Sequence, residues 1–519
     1  MAVRSTGDTR GTAARPGIAL AAVTAVLFVT FLDTTVVSVA LGDIRRELST
    51  DIMLLQWVVN AYTLVFAGLM LAGGSLGDRW GRKRVMIAGL VVFCVGSVVA
   101  ALAASVPVLI AGRAIMGLGA AASEPGTLSV LRHIFPEERA RARALGVWAA
   151  VSGLALAAGP VLGGVLVHAY GWRSIFWFNL VIGAMALLAA LWSVPESADP
   201  RPGPVDVAGI VLGAVFLGSV IYAATTGEDH GYGAGSVVAL FAVGAVAFIA
   251  FVVVESRARA PMFDFRYLRL PAVRDALVVA FAVYFGVFSL FFFTALYLQV
   301  TQSYSASHTA WVFAPMAGGI VLGALLAGIW VARWGSRTPM IAGCLTGAAG
   351  ILLTRHVLVG AVHDVPLAIV MAVAGLGFGI AVVPLTSAVL SGVPAEHSGM
   401  AAAVTNTMRQ VGSAVGVAVL GALVNSFLTA DLKDRMTALG LPPGLQPAAV
   451  DAVQRGRIPK GVDTTPYLKY LSKVNQVLET GKSAFHHGLD VALLVSAVLI
   501  LAAAAFTAID AALHRDTVA

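Results

Sequence analysis

Gly74-Ser75-Leu76-Gly77-Asp78-Arg79-Trp80-Gly81-Arg82-Lys83-Arg84-Val85 stands between two long apolar runs. Its four cations and one carboxylate cannot sit in hydrocarbon, where each charge costs several kcal/mol, so this turn marks a membrane surface. A weaker copy follows at Gly328-Ile329-Trp330-Val331-Ala332-Arg333-Trp334-Gly335-Ser336-Arg337. Gly74, Arg79, Trp80 and Gly81 recur as Gly328, Arg333, Trp334 and Gly335, each 254 residues later. Matching turns between apolar helices indicate a duplicated helical unit and a chain organised as two related halves.

Composition agrees. Of 519 residues, 59% are hydrophobic and 12% charged, and the mean hydropathy is +0.88, far from a soluble globular chain. The net charge of +7 needs no nucleic acid, because inward-facing loops of membrane proteins collect Lys and Arg. Cys94 and Cys344 fall in apolar runs of opposite halves, so neither a disulfide nor a metal site is expected. No cofactor motif survives inspection either. Gly117-Leu118-Gly119-Ala120-Ala121-Ala122 fits a dinucleotide fingerprint but lies within an apolar helix, Gly481-Lys482-Ser483 lacks the first glycine of a phosphate loop, and His486-His487 has no partners at ligand spacing.

A helix needs about 20 apolar residues to cross a bilayer, and the chain offers fourteen such runs, from Gly17–Ala40 to Leu489–Ile509. The tails and the loops after even-numbered helices hold 20 Lys and Arg residues, the short loops opposite only four, so both termini are expected in the cytoplasm. The cationic turn follows helix 2 and its copy follows helix 10. That displacement implies two six-helix bundles with two helices inserted between them. The expected organisation is an all-α polytopic membrane protein with a cytoplasmic N-tail (1–16), a six-helix bundle (17–194), two inserted helices with a cytoplasmic linker (195–275), a second bundle (276–509) and a cytoplasmic tail (510–519). A long extracytoplasmic loop, 429–488, precedes the last helix.

Ionisable groups inside spanning helices are the strongest functional clues. Asp33 of helix 1 and Arg113 of helix 4 lie at matching depths, roughly 10 Å below the outer surface, and are expected to pair. A carboxylate that alternates between paired and unpaired states binds and releases a proton; a permanent structural ion pair is the alternative. Glu124, beside Pro125 in helix 4, suits a second proton site or an anchor for a cationic substrate; a glutamate snorkelling to the interface is the alternative. Arg409 in helix 13 suits a gate or a partner for a carboxylate of the other bundle; a side chain snorkelling to the cytoplasmic surface is the alternative. Phe31, Trp57, Asn60, Tyr62, Trp148, Tyr284, Phe288 and Asn406 are candidates to line a substrate cavity. In helix 5, Gly159, Pro160 and Gly163 combine small residues with a bend, suiting a helix that packs on the facing bundle and rocks there.

These residues resemble the fourteen-helix drug:proton antiporter branch of the major facilitator superfamily. The resemblance rests on the turn Gly74 to Lys83, on Leu32-Asp33-Thr34-Thr35-Val36-Val37 in helix 1, on Arg113, Gly117 and Gly119 in helix 4, and on Gly159-Pro160-Val161-Leu162-Gly163-Gly164 in helix 5, which in the family marks exporters. Gly171-Trp172-Arg173-Ser174-Ile175-Phe176 and Asn179 look like the same branch. Departures occur at Ser38, Gly42 and Leu180, and Glu124 replaces a more usual apolar residue.

The resemblance implies alternating access in a bacterial cytoplasmic membrane. Gly74, Asp78, Arg79, Gly81, Arg82, Lys83 and Arg409 would serve as latch, with Gly159, Pro160 and Gly163 as hinge. The implied activity is export of amphipathic drugs or an antibiotic-like molecule in exchange for protons, by a monomer without cofactor. A proton-coupled nutrient importer and a lipid exporter are the rival transporters. A membrane enzyme or sensor would need a clustered His, Asp or Cys constellation, which the sequence does not offer.

Overall fold

The computed structural model describes residues 16–48, 52–198, 206–258, 261, 264–302, 304, 306–359, 362–438 and 471–513. The long helices are α1 (Pro16–Val36), α2 (Ile52–Trp80), α3 (Arg82–Ala101), α4 (Val106–Ile134), α5 (Glu138–Tyr170), α6 (Arg173–Ser193), α7 (Val207–His230) and α8 (Gly235–Arg257). They continue as α9 (Pro271–Val300), α10 (Ala306–Trp334), α11 (Arg337–Val357), α12 (Asp364–Gly392), α13 (Ser398–Ala438) and α14 (Leu471–Leu513). Thirteen spans among the described residues are long and apolar enough to cross a membrane. α5 is itself a helix of 33 residues, and Val161–Tyr170 is an apolar stretch within it.

The duplicated turn is a duplicated backbone feature. Gly81 breaks α2 from α3 at φ +106°, and Gly335 breaks α10 from α11 at φ +75°, a region that disfavours side chains with a Cβ. The face of the molecule carrying these two turns is called the turn face below, and the opposite one the far face.

α1 to α6 pack among themselves, as do α9 to α14. α7 and α8 pair with each other, and α7 fills the flank between α2 and α13, where Tyr222 of α7 meets Trp57 of α2 at 5.2 Å between ring centroids. α8 combines a mean hydropathy of 3.0 with only 22% of its span buried, so it is the peripheral helix that faces lipid. The two groups touch mainly where α5 meets α10, and α13 meets α2 and α4. At the first contact a Cβ on Gly328 would lie 2.9 Å from the carbonyl oxygen of Ala142 and 3.2 Å from the Gly146 Cα. Backbone therefore meets backbone across the two halves.

Several helices run beyond their apolar stretches. The run Met400–Leu428 is part of a helix that continues to Ala438, and Leu489–Ile509 is part of one that begins at Leu471. At 1.5 Å per residue, helices of 41 and 43 residues outrun a hydrocarbon core about 30 Å thick. Their polar ends therefore take up both edges of the expected loop 429–488. Residues 439–470, including Leu441-Pro442-Pro443-Gly444, lie outside the described residues. α4 likewise extends to Ile134, which sets Glu124 ten residues, about 15 Å, from its turn-face end.

Candidate functional site

Asp33 and Arg113 form an ion pair in which both side chains are fully buried. Asp33 Oδ2 takes Arg113 Nη1, and Oδ1 accepts from Asn179 Nδ2 of α6 at 2.6 Å. Arg113 Nε donates to the Val58 carbonyl at 2.9 Å, and its guanidinium lies 4.5 Å above the Tyr62 ring. Tyr62 in turn donates to the Thr30 carbonyl at 2.9 Å. One charge pair thereby ties α1, α2, α4 and α6 together. A buried charge persists only when paired and hydrogen-bonded, and here the carboxylate holds two donors. Asn179 was not among the candidate site residues, although the depth count that links Asp33 to Arg113 reaches it too: it lies six residues from the first residue of α6.

A second cluster bridges the halves at mid-depth. Asn406 of α13 donates from Nδ2 to Glu124 Oε1 at 3.1 Å and accepts on Oδ1 from Arg409 Nη1 at 3.0 Å. Arg409 Nη2 donates to Thr386 Oγ1 of α12 at 2.5 Å. The guanidinium lies 5.5 Å from the Trp148 ring and 5.4 Å from the Tyr284 ring. Trp148 is fixed by donating to Thr127 Oγ1 at 3.1 Å. Glu124 Oε2, Arg409 Nε and Thr407 Oγ1 are buried and have no hydrogen-bond partner among the described residues. Arg409 belongs to this cluster, not to the latch at the membrane surface.

Of the residues expected to form a latch, Gly74, Asp78 and Arg82 meet the other half at the turn face. Arg82 Nε donates to Asp78 Oδ1 at 2.9 Å, and its Nη2 reaches the Ala395 and Glu396 carbonyls, both at 2.8 Å. Asp78 accepts from the backbone N–H groups of Gly399 and Met400 at 2.8 and 2.9 Å. A carboxylate of one half thus caps the N-terminus of a helix of the other, where free N–H groups and the helix dipole favour negative charge. Gly74 permits the approach, since a Cβ there would meet the Gly399 carbonyl oxygen and the Ala403 Cβ at 2.5 Å. Arg132 Nη1 adds a bond to the Pro394 carbonyl at 3.3 Å, and Arg141 Nη2 one to Ser391 Oγ at 2.9 Å. These two arginines were legible only as inward-facing charge.

Other candidates lie elsewhere. Lys83 turns back within its own half, donating from Nζ to the Leu191 carbonyl at 2.8 Å, so it does not bridge the latch. Arg79 lies beside the exposed Trp80 at the rim of the turn. Gly159 and Gly163 are buried, but a Cβ on Gly159 would collide with Thr35 Oγ1 of α1. This part of α5 therefore packs within its own half, and the contact with the facing half falls to Gly146 and Gly153. Pro160 lies in the helix, and its side chain is outside the described atoms. Of the cavity candidates, Trp148, Tyr284 and Asn406 converge on Arg409, and Phe288 stacks on Tyr284 at 6.2 Å. Tyr62 serves the Asp33 cluster, Trp57 faces α7, and Phe31 and Asn60 are half-buried on α1 and α2.

Residues 23–417 match the family profile described as Major Facilitator Superfamily. The chain is 34% identical over 437 residues to the multidrug resistance protein Stp of Mycobacterium tuberculosis, covering 83% of this chain and 78% of that protein. It is 31% identical over 513 residues to the multidrug efflux pump LfrA of Mycolicibacterium smegmatis, covering 97% and 98%. It is 30% identical over 501 residues to the tetracenomycin C resistance and export protein of Streptomyces glaucescens, covering 95% and 91%. Among solved structures, the human organic anion transporter MFSD10 (TETRAN) superposes with a TM-score of 0.61 at 14% identity, over 94% of this chain and 99% of that one. The proton:xylose symporter XylE superposes with a TM-score of 0.56 at 14% identity, over 93% and 94%.

Proposed function

The chain belongs to the major facilitator superfamily, and on that premise we propose that it exports amphipathic drugs or an antibiotic-like small molecule in exchange for protons. Drug export is supported by relatives named as resistance and efflux proteins, at 30 to 34% identity over most of the chain. We place the chain in a bacterial cytoplasmic membrane with the turn face and both termini inside, an orientation the Lys and Arg distribution supports. The bundles 17–194 and 276–509 rock against each other, and the described conformation is the one closed on the cytoplasmic side.

Proton coupling rests on one observation, the Asp33–Arg113–Asn179 cluster. A proton arriving from the far face neutralises Asp33 and takes away the counter-ion of Arg113. Arg113 also grips α2 through the Val58 carbonyl and the Tyr62 ring, and α2 carries Asp78 at its other end. Loosening one end of a rigid helix biases the latch at the other. The latch then opens inward, drug enters, and the proton leaves to the cytoplasm as Asp33 regains its arginine.

Expression in a host lacking its main efflux pumps is expected to raise survival against at least one amphipathic drug and to lower its accumulation. Asp33→Asn is expected to abolish both while the protein still reaches the membrane. Undiminished export by Asp33→Asn removes Asp33 from the mechanism, and failure of the wild type against every drug of a broad panel overturns the export reading.

A further inference from the structure

Arg409 is 4% exposed, and among the described residues no carboxylate lies within ion-pair distance of it. Its charge is instead met by an amide, a hydroxyl and two aromatic faces. Glu124 stands one side chain away behind Asn406, with Oε2 unpartnered. The cluster divides between the halves. Glu124 and Trp148 belong to α4 and α5 and are tied together through Thr127, whose Oγ1 accepts from Trp148 Nε1 at 3.1 Å and donates to the Glu124 carbonyl at 2.6 Å. Arg409, Asn406 and Tyr284 belong to α13 and α9.

A carboxylate beside an indole face is the recognition chemistry of an organic cation. In this conformation the indole face is taken by the protein's own guanidinium. We propose that Glu124 and Trp148 form the binding wall for a planar organic cation, and that Arg409 is a built-in competitor which moves onto that wall when the turn face closes and drives the cation out. This rests on the exporter reading and names the substrate class for it.

Closure and insertion are one movement. The two N–H groups capped by Asp78 belong to Gly399 and Met400, on the same helix as Arg409 and ten residues, about 15 Å, before it. Parting of the halves at the turn face carries Asn406 and Arg409 away from Glu124 and leaves both the carboxylate and the indole to a cation from the cytoplasm. Closing returns the guanidinium to the indole face, and two cations cannot share one ring face in a desolvated site. The bound cation is left with the far face as its exit. Asn406 keeps Arg409 from locking onto Glu124 as a direct ion pair, so the wall can be vacated again on the next turn of the cycle.

The test is equilibrium binding of ethidium, a planar organic cation, to the purified full chain by fluorescence anisotropy. Arg409→Gln, which keeps hydrogen-bonding capacity without charge, is expected to bind ethidium about tenfold more tightly than wild type. Adding Trp148→Leu or Glu124→Gln to that variant is expected to abolish the gain. Arg409→Lys, should the glutamine variant fail to fold, is expected to bind more tightly than wild type by a smaller factor, since ammonium covers a ring face less well than guanidinium. A merely structural arginine would weaken binding when replaced, so unchanged, weaker or absent ethidium binding in the folded variant overturns the proposal. Export of drugs without a gain in ethidium affinity sinks the competitor and spares the exporter, and a gain in affinity in a chain that exports no drug does the reverse.

Discussion

Replacing Asp78 by Asn removes one charge from the latch while preserving shape, and the geometry sets the size of the effect. Asp78 accepts two backbone N–H groups from the other half, at 2.8 and 2.9 Å, and Arg82 Nε at 2.9 Å. An asparagine offers one acceptor oxygen and turns an amide N–H toward whatever donor remains. One cross-half bond to a carboxylate is lost, worth about 1.5–3 kcal/mol, and with it the attraction of the α13 N-terminus for negative charge, about 0.3–1 kcal/mol. Together they take ~2–4 kcal/mol from closure of the turn face, a factor of roughly 30 to 1,000 in the ratio of closed to open molecules. Spin labels at Arg84 and Thr338, exposed positions on opposite halves of the turn face, read that ratio by electron–electron distance measurement. The variant is expected to gain a long-distance component at least about tenfold over wild type. A distribution identical to wild type refutes the assignment of Asp78 as the closing contact.

Asp33→Asn leaves Arg113 buried without its counter-ion and is expected to destabilise the chain by about 3–5 kcal/mol. A double Asp33→Asn, Arg113→Met variant should recover much of that in a thermal melt, and no recovery would mean the pair is not the cause. Gly328→Leu places a side chain where a Cβ already lies 2.9 Å from the Ala142 carbonyl oxygen. Closure should cost about 1–3 kcal/mol more and export should fall at normal expression, whereas undiminished export would show that α5 and α10 do not meet in the cycle. Glu47, on the short helix Leu41–Glu47, is held below the usual carboxylate range by Arg173 and, to a smaller degree, by Trp172. Its contribution is therefore present at neutral pH, above the unfolded value of 4.5, and is lost as pH falls through the depressed folded value. Trp172 fluorescence should report this acid transition in wild type and not in Glu47→Gln; an identical transition in both would remove Glu47 as its origin.

The Asp33–Arg113 contact was legible because depth along two helices is a one-dimensional count, and both residues are charges in apolar runs. Glu124, Asn406 and Arg409 each stood out singly, but their convergence belongs to one conformation and depends on how far two separate bundles have closed. No periodicity encodes that. Composition also misjudged α13 and α14, since their hydropathy falls at the membrane surface while the hydrogen-bonded helix runs on. Gly159 was misassigned to the facing half because a run of small residues shows that a close approach occurs without showing which neighbour makes it. That Asp78 caps α13 was beyond sequence reading, because its partners are main-chain N–H groups, which every residue but proline carries.

The claim that Asp33 exchanges its arginine for a proton is tested most directly by placing purified chain in weakly buffered detergent solution, adding a drug that the wild type exports, and recording proton release. The account predicts release from the wild type, growing with drug concentration to saturation, and none from Asp33→Asn. Equal release from both proteins, or none from a wild type that binds the drug, would contradict it.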